Sequence, residues 1–157
     1  KKELCVLANQ IGSDVPFFIK GGIKKILGTG NIIEDINTEI LKNKIFLLVI
    51  PKFSISTQWA YSKIKKQLHT KEIKPKFPPL ADGVDWTLFE NDFEHVVCSA
   101  YPEILDIKCL IYKSGALYSG LSGSGSTVFG IYNDIELAQS AADDFDKYLT
   151  YIVSPYF

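Results

Sequence analysis

Three short segments hold the residues whose types and spacing could do chemistry. Ser122-Gly123-Ser124-Gly125-Ser126 alternates glycine and serine between two apolar runs. Glycines let successive backbone N–H groups turn into one concavity, which suits an anion such as a phosphate. The same composition describes a plain hairpin turn or a flexible linker. The linker is disfavoured, because only residues 127–157 follow, too few for an independent domain, and apolar strand patterns abut both ends. In Gly12-Ser13-Asp14-Val15-Pro16-Phe17-Phe18 a carboxylate stands between a helix end and an apolar run. Asp14 in that place can take a proton from a hydroxyl or orient it for attack, although an aspartate taken alone is more often a turn-former or helix cap. The third segment, Pro51 to Tyr61, opens a strand into a helix whose first turn offers Ser56, Thr57, Trp59 and Tyr61. Hydroxyls and aromatics at a strand end can line a small-molecule pocket, although packing is the commoner fate of aromatics.

Other chemistry-bearing residues are less organised. His95 and Cys98 lie three apart, but with one other histidine and no carboxylate cluster aimed at them no metal site is expected. Lys63-Ile64-Lys65-Lys66 reads as a solvated helix face.

The elements that must position these segments follow from periodicity. Leu4, Leu7, Ala8 and Ile11 recur at helical spacing ahead of Gly12. Val15 to Ile19 reads as a strand, with Ile23 to Leu27 as its hairpin partner across Gly21-Gly22. Lys44 to Ile50 is an apolar run closed by Pro51, the pattern of a central strand buried on both faces. Ser56 or Thr57 caps a helix through about Leu68. From Lys71 to Glu90 periodicity vanishes, and the segment reads as a functional flap or a decorated loop. Asn91 or Asp92 caps a helix to about Ala100, and Pro102 opens another that stops near Gly115. Strands over 116–121 and 127–132 flank the glycine-serine segment. Asn133 with Glu136 resembles a capping box for a helix with Ala138, Ala141, Ala142, Phe145 and Leu149 on its inner face, and residues 150–153 make a last strand. From residue 44 onward the order β, helices, β, β, α, β is a ferredoxin-like split βαβ plan, hence an α+β fold with one antiparallel sheet.

Composition narrows the class of function. The chain has 157 residues, 46% hydrophobic and 22% charged, with 17 basic against 18 acidic side chains. That supports a real core and no global pull toward nucleic acid or an anionic membrane. The apolar run Ile45–Ile50 is too short to span a bilayer. Three cysteines outside any CxxC pattern fit a reducing, cytoplasmic compartment. All 17 basic residues are lysine, so a phosphate grip here lacks the guanidinium fork, a bias that an AT-rich genome also explains. No methionine occurs, so the chain is expected to be the later part of something longer.

Taken in order, the three segments resemble the C-terminal half of the GHMP-superfamily small-molecule kinases, and within it the 4-diphosphocytidyl-2-C-methyl-D-erythritol kinase family of the non-mevalonate isoprenoid pathway. The residues that carry the resemblance are Gly12 to Phe18 with Gly21-Gly22 and Gly28-Thr29-Gly30, then Pro51 to Thr57, Asn91-Asp92-Phe93-Glu94, Tyr101-Pro102-Glu103-Ile104, and Gly115-Ala116 leading to Ser122 through Phe129. The resemblance implies residues 1–40 as a remnant of an N-terminal kinase domain and 41–157 as the ferredoxin-like C-terminal domain. It implies ATP and Mg2+ as reaction partners and a cytidyl-diphosphate sugar alcohol as substrate, with no nucleic-acid or membrane partner. Asp14 would be the base facing the Gly123, Ser124, Gly125 and Ser126 loop across a cleft, the loop lying close to the transferred phosphate. Thr57 and Tyr61 would line the cytosine side. The family's PxxxGLGSS-type ATP loop and N-terminal lysine are missing, so the missing N-terminal half of the same protein is an expected partner and the chain alone is expected to be nearly inactive. The alternatives are a non-catalytic GHMP-type ligand-binding or regulatory module, a free-standing ferredoxin-like interaction domain, and a GHMP kinase acting on homoserine or mevalonate.

Overall fold

The structure, a computed structural model, describes residues 2–12, 14–27, 32–35, 39–64, 86 and 89–155, with backbone alone at 2 and 40. The chain divides into two compact units, residues 1–42 with 156–157, and residues 43–155.

In the first unit α1 (Lys2–Ile11) is followed by α2 (Val15–Lys20), and β1 (Lys24–Leu27) pairs antiparallel with β2 (Ile32–Asp35). The segment expected as a strand from Val15 to Ile19 is therefore a helix, and β1 finds its partner downstream. Pro16 gives the reason. Its fixed φ and missing N–H suit the first turn of a helix, and a short apolar run has no period to reveal which element it forms. Gly21, at φ 67°, ends the helix, its N–H donating to Phe17 O at 2.8 Å. The Gly28-Thr29-Gly30 segment lies outside the described residues.

The second unit runs β3 (Ile45–Ile50), α3 (Thr57–Ile64), α4 (Asp92–Ala100), α5 (Pro102–Lys113), β4 (Tyr118–Leu121), β5 (Val128–Tyr132), α6 (Ile135–Asp143) and β6 (Leu149–Val153). The sheet order is β4-β5-β3-β6 with every neighbour antiparallel. β5 lies between β3 and β4, and β3 between β5 and β6, which is the split βαβ arrangement. The fold is α+β.

Register separates the two faces. Leu47, Val49, Val128 and Leu121 share the face that meets Val97 of α4, Ile104, Ile107 and Ile111 of α5, and Ala138 and Ala141 of α6. On the other face of β3, Phe46, Leu48 and Ile50 are only half-buried, so the run is central without being fully covered on both sides. Gly130 lets α5 approach the sheet, because a Cβ there would stand 2.5 Å from Ile111 Cγ2.

Two local expectations are corrected. The cap of α6 is Asp134, which accepts from the Leu137 N–H at 2.8 Å, while Asn133 accepts from Lys44 Nζ at the end of the β3–β5 pair. Either residue suits a cap, and tertiary pairing of Asn133 decides between them. Leu149 belongs to β6 and is 53% exposed, because α6 ends at Asp143. The continuation of α3 toward Leu68 and nearly all of the 71–90 segment lie outside the described residues. No helix among the described residues is long and apolar enough to cross a membrane.

Candidate functional site

The site of the second unit is built where the β3–α3 connection meets the β4–β5 loop. Buried Pro51 closes β3, and Ser56 starts α3, its Oγ accepting from Trp59 N–H at 3.3 Å and its carbonyl from Ala60 N–H at 3.0 Å. With Ser56 capping, the neighbouring Thr57 hydroxyl is left to reach Ser124, Oγ1 to Oγ 3.1 Å. Ser126 Oγ donates to Phe53 O at 2.6 Å. The Phe53 ring stacks on Tyr101 with centroids 5.4 Å apart, and Trp59 meets Tyr101 edge-on at 5.5 Å. Trp59 is thus a packing residue. Tyr61, one turn along α3 from Thr57, keeps 53% of its surface exposed and meets Phe93 edge-on at 5.0 Å.

The glycine-serine loop is ordered by its own hydrogen bonds. Ser122 N–H donates to Thr127 O and Gly125 N–H to Ser122 O, both at 2.9 Å. Gly125, at φ 87°, occupies backbone space that side chains rarely adopt, and a Cβ there would press Leu121 and Ile55 at 3.0 and 3.1 Å. The segment is a folded turn between β4 and β5, which removes the linker reading.

The first turn of α4 grips this loop from the side. Asn91 Nδ2 donates to Leu121 O at 2.8 Å and Gly123 O at 2.9 Å, and its Oδ1 accepts from Phe93 N–H. Glu94 Oε1 accepts from Leu121 N–H at 2.8 Å, and Oε2 pairs with Lys108. Beside the loop opens a cavity of about 480 Å³ whose lining includes Phe89, Asn91, Phe93, Tyr118, Gly123 and Phe129. Tyr118 donates its phenol to Phe89 O at 3.0 Å. Burial pushes that phenol up to about 12, helped by the Glu94 carboxylate and by Tyr112.

Sequence reasoning had Asn91 only as a helix cap and gave Glu94 no role, although both stand in the quoted Asn91-Asp92-Phe93-Glu94 stretch. Their partners lie 27 to 32 positions away, and no local pattern announces such contacts. Asp14 lies in the first unit, exposed, at the N-cap of α2 in the αR region; its carbonyl accepts from Phe17 N–H at 3.2 Å and its side chain makes no capping bond. His95 is exposed while Cys98 packs half-buried on the core, and burial pushes the Cys98 thiol up. Among the described residues no group of three or more His, Cys, Asp or Glu is placed to hold a metal ion.

Residues 74–150 match the family model described as GHMP kinases C terminal. The chain is 40% identical, over 97% of its length and 56% of the relative's, to the 4-diphosphocytidyl-2-C-methyl-D-erythritol kinase of Thermodesulfovibrio yellowstonii. The chain belongs to the GHMP kinase superfamily. A kinase of the same description from Chlorobium chlorochromatii is 33% identical over 87% of this chain and 49% of its own length. The chain thus spans about half the length of these curated relatives. The GHMP fold is matched in a crystal structure of 4-(cytidine 5'-diphospho)-2C-methyl-D-erythritol kinase, with TM-score 0.72 and 22% identity over 95% of this chain and 55% of that one. A homoserine kinase structure from Cytophaga hutchinsonii matches with TM-score 0.59 and 18% identity over 90% of this chain and 50% of that one. The loop between β4 and β5 of this GHMP chain falls within the residues matched by that family model.

Proposed function

We propose that this chain furnishes the base, the cytosine side and a phosphate-side loop of an ATP-dependent kinase. The enzyme would phosphorylate a hydroxyl of 4-diphosphocytidyl-2-C-methyl-D-erythritol in the non-mevalonate isoprenoid pathway. The observation that carries this reading is the 3.1 Å contact between Thr57 and Ser124. It brings the strand-to-helix segment bearing Tyr61 against the glycine-serine loop, so an aromatic shelf and an anion-binding turn share one end of one sheet.

In this reading the substrate hydroxyl oxygen attacks the γ-phosphorus of ATP, the bond to the ADP oxygen breaks, and the hydroxyl proton passes to the Asp14 carboxylate. Such transfer is mostly positioning and charge stabilisation. The exposed Tyr61 ring stacks on the cytosine, a contact worth about 1–3 kcal/mol. Thr57 lines the same pocket, and Gly123, Ser124, Gly125 and Ser126 lie on the side of the transferred phosphate. The described residues supply no ligand cluster for Mg2+ of their own. Mg2+ commonly travels with the nucleotide phosphates. The residues of this chain include no PxxxGLGSS-type ATP loop, so in this reading the chain alone turns over little or nothing.

Two measurements test this. The isolated chain should bind CDP in preference to mevalonate and lose affinity in Tyr61→Ala; absence of CDP binding would overturn the substrate assignment. Joined to the N-terminal half of the Thermodesulfovibrio relative, the chain should release ADP from ATP with the cytidyl substrate and Mg2+, and Asp14→Asn should cut the rate about 10²–10⁴-fold. A joined protein that binds CDP without turnover would instead favour the regulatory module. Sustained turnover by the isolated chain would contradict the claim that it is inactive alone.

A further inference from the structure

We infer that Asn91 is a positioning residue, whose single amide locks the glycine-serine loop and the Tyr61 shelf into one geometry. The inference rests on the proposed reading of that loop as the phosphate side and of Tyr61 as the base shelf. The primary amide has two N–H donors and one carbonyl acceptor, and this environment uses both ends. Nδ2 donates to Leu121 O and Gly123 O at 2.8 and 2.9 Å, and Oδ1 accepts from Phe93 N–H at 2.9 Å. The pattern fixes the amide's orientation, since a flipped group would set its oxygen against two carbonyls. On one side the grip holds the strand end and first glycine of the loop. On the other it holds the backbone of Phe93, whose ring meets Tyr61 edge-on. Glu94 completes the hold by taking the N–H of Leu121, so that residue is fixed at both its donor and its acceptor.

Capping alone does not demand asparagine. Asp134 caps α6 with a carboxylate, and Asp, Asn and Ser serve helix starts about equally. What Asp and Ser cannot supply is the pair of donors. Asn91→Asp therefore keeps the cap while turning an oxygen toward two carbonyls, and Asn91→Ser keeps a cap without that repulsion.

The test uses the full 157-residue chain with Asn91→Asp, Asn91→Ser and the remote control Asp134→Asn. Three quantities are read: thermal midpoint, hydrogen exchange of the Leu121 and Gly125 amides by NMR, and CDP affinity. Both Asn91 variants lose two donated bonds and should lower the midpoint by only a few degrees, while exchanging those amides about tenfold faster and binding CDP about tenfold more weakly, the net scale of one to two hydrogen bonds. Asp134→Asn should move neither loop exchange nor affinity. Should Asn91→Asp fail to fold, Asn91→Ser carries the same comparison. Parent-like exchange in the folded variants overturns the inference, as does faster exchange with unchanged CDP affinity. If the parent itself binds no CDP, the proposed function fails separately, and loop exchange alone decides: faster exchange upholds the grip and parent-like exchange overturns it.

Discussion

Helices α1 and α5 carry the same kind of apolar period and meet opposite fates. On α5, Ile104, Ile107 and Ile111 are 0–2% exposed, packed on the four-stranded sheet. On α1, Leu4, Leu7 and Ile11 are 56%, 57% and 79% exposed, and Ala8 is the buried member of its stripe. Amphipathic spacing defines a face and says nothing of what the face meets. Within its own unit α1 has the six-residue α2 and a two-stranded ribbon, elements too small to bury a stripe. A fully buried Ile or Leu contributes about 1.5–3 kcal/mol, so the stability of this chain resides in residues 43–155.

Substitutions can break or sharpen that contrast. The largest effect is expected from Ile104→Ala, a loss of about 2–5 kcal/mol in urea unfolding; a small loss there would remove the contrast with α1. Gly130→Ala should cost about 1–3 kcal/mol by forcing Ile111 away from the sheet. Gly12→Ala, whose Cβ would meet Val15 at an ordinary 3.5 Å, should be much milder. Ser119 tests the same core with the opposite sign. Its hydroxyl is fully buried with no hydrogen-bond partner among the described residues, so Ser119→Ala should gain about 1 kcal/mol.

Alkaline titration probes the cavity wall. The Tyr118 phenol is raised from 10.0 to about 12, so its contribution is whole below pH 10 and is lost as pH rises through about 12, the unfolded chain ionising first. Tyr118→Phe should flatten stability over that window; an unchanged slope would mean another group is responsible. The smallest effect belongs to Leu7→Ser on the exposed stripe, expected within about 0.5 kcal/mol of the parent. A loss matching that of Ile104→Ala would show that α1 is buried in solution.

The split βαβ order, a central apolar strand ending at Pro51, a helix cap at Asn91 or Asp92 and the folded glycine-serine turn were legible in the residues. Each is a local signal: an apolar run, a proline stop, a side-chain oxygen before a helix, glycines where φ must be positive. Val15 to Ile19 was not legible, because five apolar residues carry no distinguishing period and Pro16 suits a helix start as well as a strand edge. Asn133 lost the α6 cap to Asp134 for a reason in space, its long-range bond from Lys44.

The sequence by itself determined which segments are helices and strands over most of residues 43–155, and which short runs hold hydroxyls, glycines and a carboxylate. Those follow from backbone sterics and from the spacing of apolar side chains, which act over a few residues. Only the tertiary structure decided that Thr57 meets Ser124, that Asn91 serves Leu121 and Gly123 as well as its own helix, and that Ala8 alone of the α1 stripe is buried among the described residues. These depend on which surfaces the folded sheet and helices bring within hydrogen-bond reach, and neighbouring residues along the chain do not encode that distance.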